Sequence, residues 1–111
     1  MRKIKVGKKE IKIMGSAITS FFYKQAFDTS LSGDLMKMNE CEKDLSNLDD
    51  VVILQMIWAM AKTVNREITP FVNWLEEIEY IDLNEILNEV VEEASRACFR
   101  SSQEKTDQNN N

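Results

Sequence analysis

Eleven residues in the middle of the chain, Val51 to Ala61, are apolar except for Gln55. A run of this length is apolar on every side when wound as a helix. It falls short of the roughly 18 residues that a membrane span needs. In a chain outside the membrane, such a helix has to be wrapped by others. The composition agrees with that architecture. Only 3 glycines and 1 proline occur in 111 residues, which disfavours a loop-rich β-sandwich. Hydrophobic residues at 43% and charged residues at 30% fit a folded domain rather than a disordered chain.

The other elements are arranged around that helix. Ile4 and Val6 alternate with Lys3 and Lys5, and Ile11 and Ile13 flank Lys12. Period two, broken at Gly7-Lys8-Lys9, predicts a hairpin within residues 1–14. A lone hairpin is not stable, so it lies on the helices or pairs with another chain. Ser16 caps a helix to about Phe27 that carries Phe21 and Phe22 on its apolar stripe. Asp28 to Gly33 is rich in turn formers. A weaker helix is predicted over about Asp34 to Leu45, with Met36 and Met38 partly exposed. Ser46 to Asp49 opens the central helix, and Lys62 and Arg66 near its end complement the helix dipole. Thr69-Pro70 predicts a cap followed by proline at the first helical position. Phe71, Trp74, Leu75 and Ile78 then fall on one face. Asp82 and Glu85 open a last helix whose stripe is Leu83, Ile86, Leu87, Val90, Ala94 and Ala97, ending near Phe99. Residues 101–111 contain no hydrophobic residue and are expected to form a disordered polar tail.

The predicted fold is therefore mainly α (α+β). It is a single domain over 1–100, an N-terminal β-hairpin followed by a bundle of about four to five helices. Phe22, Trp58, Phe71, Trp74 and Leu87 are its expected core.

Chemistry-bearing patterns are scarce. The sequence has no histidine, which removes the usual general base and the commonest metal ligand. Cys41 and Cys98 are too few and too far apart for a disulfide framework or a zinc site. They read as buried thiols without a base partner. Gly7, Gly15 and Gly33 are isolated, so no phosphate loop is present. Neighbouring carboxylates such as Glu76-Glu77 and Glu92-Glu93 point about 100° apart on a helix. Pairs at i, i+4, such as Glu85 and Glu89 or Glu89 and Glu93, lack a second ligand helix. No catalytic, cofactor or metal residue is assigned, and an enzyme is not expected. Trp58 and Trp74 lie on apolar stripes, so core packing is favoured over base stacking. With a net charge of −5, nucleic acid is not an expected partner either. No membrane association is expected. Nor is a secretory leader, because no apolar segment follows the basic N-terminus.

Charge is unevenly spread. Arg2, Lys3, Lys5, Lys8, Lys9 and Lys12 against Glu10 give residues 1–12 a side-chain balance of +5. Residues 74–93 carry eight carboxylates and no cation. The bland reading is a solvated acidic face. The sharper reading is head-to-tail association, in which Lys3, Lys5 and Lys12 of one copy meet Glu76, Glu77, Glu85 and Glu89 of the next.

The order of segments resembles the tail assembly chaperones of long-tailed bacteriophages, especially those of phages and prophages of Gram-positive bacteria. A basic hairpin is followed by Phe22-Tyr23-Lys24-Gln25-Ala26-Phe27 and then an aspartate-containing segment with Asp28 and Asp34. Next come an apolar helix, Ile57-Trp58-Ala59-Met60-Ala61-Lys62, the segment Pro70-Phe71-Val72-Asn73-Trp74-Leu75-Glu76-Glu77, and a final amphipathic helix. The resemblance covers about residues 3–100. Thr29 to Gly33 departs from the tighter Phe-Gly-x-Asp-type junction of the family.

The resemblance implies a non-enzymatic protein of the bacterial host cytoplasm that oligomerises and is absent from the mature virion. Such chaperones bind the tape-measure protein, keep its helices from aggregating, and help recruit tail-tube subunits. Many are also made as a longer frameshifted product. The alternative is a small adaptor or inhibitor of mobile-element origin that acts by protein–protein interaction.

Overall fold

The computed structural model describes residues 2–40 and 50–98. Arg2–Val6 (β1) and Lys9–Ile13 (β2) form an antiparallel hairpin. Five helices follow among the described residues: Ala17–Phe27 (α1), Leu31–Glu40 (α2), Asp50–Val64 (α3), Phe71–Glu76 (α4) and Leu83–Cys98 (α5). The mainly helical fold with an N-terminal hairpin is the one read from the sequence. The expected opening of the central helix at Ser46–Asp49, Cys41, Leu45, Phe99 and the tail 101–111 lie outside the described residues.

The hairpin lies on the helices of its own chain. Its register sets Arg2 opposite Ile13, Lys3 opposite Lys12, Ile4 opposite Ile11 and Lys5 opposite Glu10. Period two then puts Arg2, Ile4, Val6, Ile11 and Ile13 on one face and Lys3, Lys5, Glu10 and Lys12 on the other. Ile4, Val6 and Ile13 are buried. The apolar face rests on α3 and α5. The turn uses Gly7 at φ 63°, a left-handed conformation that only glycine adopts freely. A Cβ there would lie 2.7 Å from the Tyr80 carbonyl oxygen, so the turn sits directly on the α4–α5 connection.

The central helix α3 contacts β2, α1, α4 and α5. From Met56 to Ala61 every residue is buried. Its one polar interruption has a partner. The Tyr23 hydroxyl donates to Asp34 Oδ2 at 2.6 Å and lies 3.2 Å from the Gln55 amide oxygen. The Thr29 hydroxyl also donates to Asp34, at 2.9 Å. A second buried polar contact joins α1 to α3, with Thr19 Oγ1 2.6 Å from Thr63 Oγ1.

Several boundaries differ from the sequence reading. The second helix starts at Leu31 rather than Asp34. Asp28 ends α1 in the left-handed region at φ 61°, and Ser30 then receives the Gly33 N–H on its hydroxyl. The turn formers therefore act as a compact helix stop and start. Met36 is exposed as expected, whereas Met38 is buried against the core. Phe21, placed on the apolar stripe, is 58% exposed. Thr69 does not cap α4, because Pro70 occupies the cap position and the helix begins at Phe71. Ile78 lies beyond the end of α4.

An aromatic groove as the candidate functional site

An open groove lies where α1, α3 and α4 meet. The C-terminal turn of α1 supplies Phe27, and α3 supplies Trp58 one turn before Lys62. After α3 the chain doubles back through a tight turn, with the Glu67 N–H donating to Asn65 Oδ1 and the Ile68 N–H to the Asn65 carbonyl. That turn brings the Thr69 carbonyl to the Trp58 indole N–H at 2.9 Å. Pro70 then launches α4, whose first residue, Phe71, packs against both Phe27 and Trp58. Phe27 and Phe71 meet edge-to-face at 4.9 Å, and Phe27 and Trp58 at 5.6 Å. Trp74 stacks behind Phe71 at 6.2 Å. The result is an open groove of about 630 Å³ with an aromatic floor, walled by Ala26, Ile68, Pro70 and Val72. Val72 is 66% exposed at its lip.

One charged side chain lines the groove. Lys62 Nζ sits 5.0 Å from the Phe22 ring centre and 5.1 Å from that of Trp58. The Arg66 guanidinium lies 5.1 Å from the same Phe22 ring. Both cations rest on aromatic faces, a favourable contact. Neither forms an ion pair among the described residues. The expected role of these residues at the helix end therefore extends to roofing the rings.

Of the expected core residues, Phe22, Trp58 and Trp74 are buried, and Leu87 and Phe71 are half-buried. Phe71 belongs to the groove as well as to the core.

The charged candidates are divided by the fold. Lys3, Lys5 and Lys12 lie together on the outward face of the hairpin and make no ion pair among the described residues. The other hairpin cations meet the acidic segment of the same chain. Arg2 pairs with Glu92 at 2.9 Å and with Glu93 at 3.3 Å, Lys9 with Glu77 at 3.1 Å, and Lys8 with Glu79 at 3.6 Å. Glu77 is thus engaged in cis, while Glu76, Glu85 and Glu89 remain exposed without an ion partner among the described residues. Much of the opposed charge read as a reason for association is used within one molecule.

Glu93 is the main surprise. Counted with the solvated acidic face, it is instead 2% exposed. Its carboxylate accepts the Gly15 N–H at 2.8 Å and meets Arg2. The signal was present: Glu93 falls three residues after Val90 and seven after Ile86, on the apolar stripe.

Reactive groups are few. Among the described residues no cluster of three Cys, Asp or Glu side chains is arranged to hold a metal ion. Burial pushes the Cys98 thiol up, against a hydrogen bond with Ser20 that lowers it. Cys98 is half-buried, short of the full burial expected of it. Among the described residues no helix is long and apolar enough to cross a membrane. No protein-family model, curated protein or solved structure matches this chain.

Proposed function

We propose that this chain is a phage tail assembly chaperone, a non-enzymatic protein that holds apolar helical stripes of the tape-measure protein and helps bring tail-tube subunits to it. The observation that carries this reading is the aromatic groove. Amphipathic helices dock into apolar grooves through side chains at i, i+3, i+4 and i+7. A floor of rings packed edge-to-face is already ordered, so little conformational entropy is lost on binding. The segments behind the family resemblance are also the ones that build the groove. Phe22–Phe27 supplies one wall, Ile57–Lys62 the floor, and the segment from Pro70 the other wall. On this reading the protein acts in the cytoplasm of the bacterial host and leaves before the tail is complete. Many copies along one long partner give avidity without tight single contacts.

The direct test is co-expression with the product of the reading frame immediately downstream of this gene, which this reading expects to be long and helix-rich. The soluble yield of that partner rises several-fold with the wild-type chain. It falls back with Val72→Asp, which puts a charge on the lip without touching the core. If the partner is equally soluble without the chain, the chaperone role is lost.

Copies associate through the charge left unpaired in each chain, with Lys3, Lys5 and Lys12 of one meeting Glu76, Glu85 and Glu89 of another. Exposed pairs contribute only up to about 1 kcal/mol each and are screened by salt. Sedimentation should therefore show an oligomer that weakens as salt rises and is lost when Lys3, Lys5 and Lys12 are reversed to Glu. An oligomer unchanged by the reversal excludes the hairpin face as the contact.

A further inference from the structure

The groove has an aromatic floor, yet among the described residues its only charged lining residue is a cation, Lys62, with no carboxylate paired to it. Lys62 is half-buried against the Phe22 and Trp58 rings, and Arg66 also lies over the Phe22 ring. The protein as a whole carries −5, so a local excess of positive charge here is against its own average. Elsewhere in the fold, Arg2, Lys8 and Lys9 find carboxylates, while Lys3, Lys5 and Lys12, unpaired among the described residues, stand on the open face of the hairpin and not against aromatic rings.

From this arrangement we infer that the groove selects one class of helix: an amphipathic segment of another protein with a carboxylate bordering its apolar stripe, which meets Lys62 while bulky aliphatic side chains enter between Phe71 and Val72. The inference rests on the helix-capture reading and adds to it the chemistry of the partner. A cation partly shielded from water by rings interacts more strongly with an incoming carboxylate than one on an open surface. A basic helix in the same groove brings like charge against Lys62 and is rejected, which gives specificity as well as attraction.

Two other occupants fit less well. Residues 100–111 have no hydrophobic side chain to place on an aromatic floor. A single-stranded nucleic acid needs free ring faces for stacking. Here the Trp58 face carries Lys62, and the Trp58 and Phe71 rings are packed edge-to-face with Phe27.

The test uses three synthetic helices of about twenty residues, long enough to be helical. Each has the same leucine stripe, bordered by Glu, Gln or Lys, and none contains tryptophan. Binding to the full chain is followed by tryptophan emission. The Glu peptide is expected to bind about fivefold tighter than the Gln peptide and the Lys peptide weakest, with the differences shrinking at high salt. Lys62→Glu reverses the order of the Glu and Lys peptides. Lys62→Met, which keeps the apolar stem, abolishes the preference while retaining Gln-peptide binding.

Equal affinity for all three peptides, lost with Val72→Asp, overturns the charge selection and leaves helix capture standing. No binding by any peptide overturns both. Tighter binding of an oligothymidylate than of the Glu peptide, or a self-associated chain that excludes all peptides from the groove, replaces the proposed occupant.

Discussion

Trp58→Ala destabilises the domain by about 3–5 kcal/mol, the range for truncating a buried tryptophan. Trp58 is 4% exposed and stands where three elements meet. Its ring packs edge-to-face with Phe27 and Phe71. Its indole N–H also fixes the Thr69 carbonyl, so truncation unties the turn that launches α4. Urea unfolding should show a lower midpoint at unchanged slope. A loss under about 1 kcal/mol would place Trp58 outside the core and remove the floor of the groove. Trp58→Phe keeps an apolar ring but frees the Thr69 carbonyl, and its cost separates the hydrogen bond from the packing.

Gly15→Ala is the second large effect, although it adds only a methyl group. A Cβ at position 15 overlaps the Glu93 carbonyl oxygen and comes within 3.3 Å of the Ala97 nitrogen. These are backbone atoms of α5, which no rotamer change can move aside. The hairpin has to lift from α5, and the Gly15 N–H then loses the Glu93 carboxylate. The expected cost is about 3 kcal/mol, the upper end for overpacking. That corresponds to a fall in Tm of more than about 10 °C for a domain of this size. An unchanged Tm would mean that the loop before α1 does not touch α5. Gly33→Ala is a useful contrast, because the Cβ there meets only the Ser30 hydroxyl at 2.6 Å, and a side chain can move.

These two positions also mark how far the sequence could be read. The α3 helix was legible because a continuous apolar run in a short chain has one solution, a helix wrapped by its neighbours. The hairpin was legible because alternation with Ile and Val leaves one face to bury. Its seat was not, since nothing local connects Arg2 to Glu93 or Gly15 to α5. The start of α2 was missed because Ser30 and Gly33 carry turn propensity that Leu31 and Leu35, both fully buried, override. The groove was hidden for a related reason. Phe27, Trp58 and Phe71 each look like core residues on their own stripes, and only the fold shows that one side of their cluster stays open.

The clasp between hairpin and last helix also dictates an order of events. Arg2 and Glu92 are 90 residues apart, and Gly15 and Glu93 are 78 apart. Closing loops of that length is entropically costly, so such contacts form late compared with neighbouring helices docking on one another. During synthesis, α1 and α3 can meet while the ribosome is still making α5. The β1 strand, made before all five described helices, has no complete seat until α5 has emerged. Its apolar underside waits, and the six cations in its first twelve residues keep that waiting hairpin in water rather than against another nascent chain.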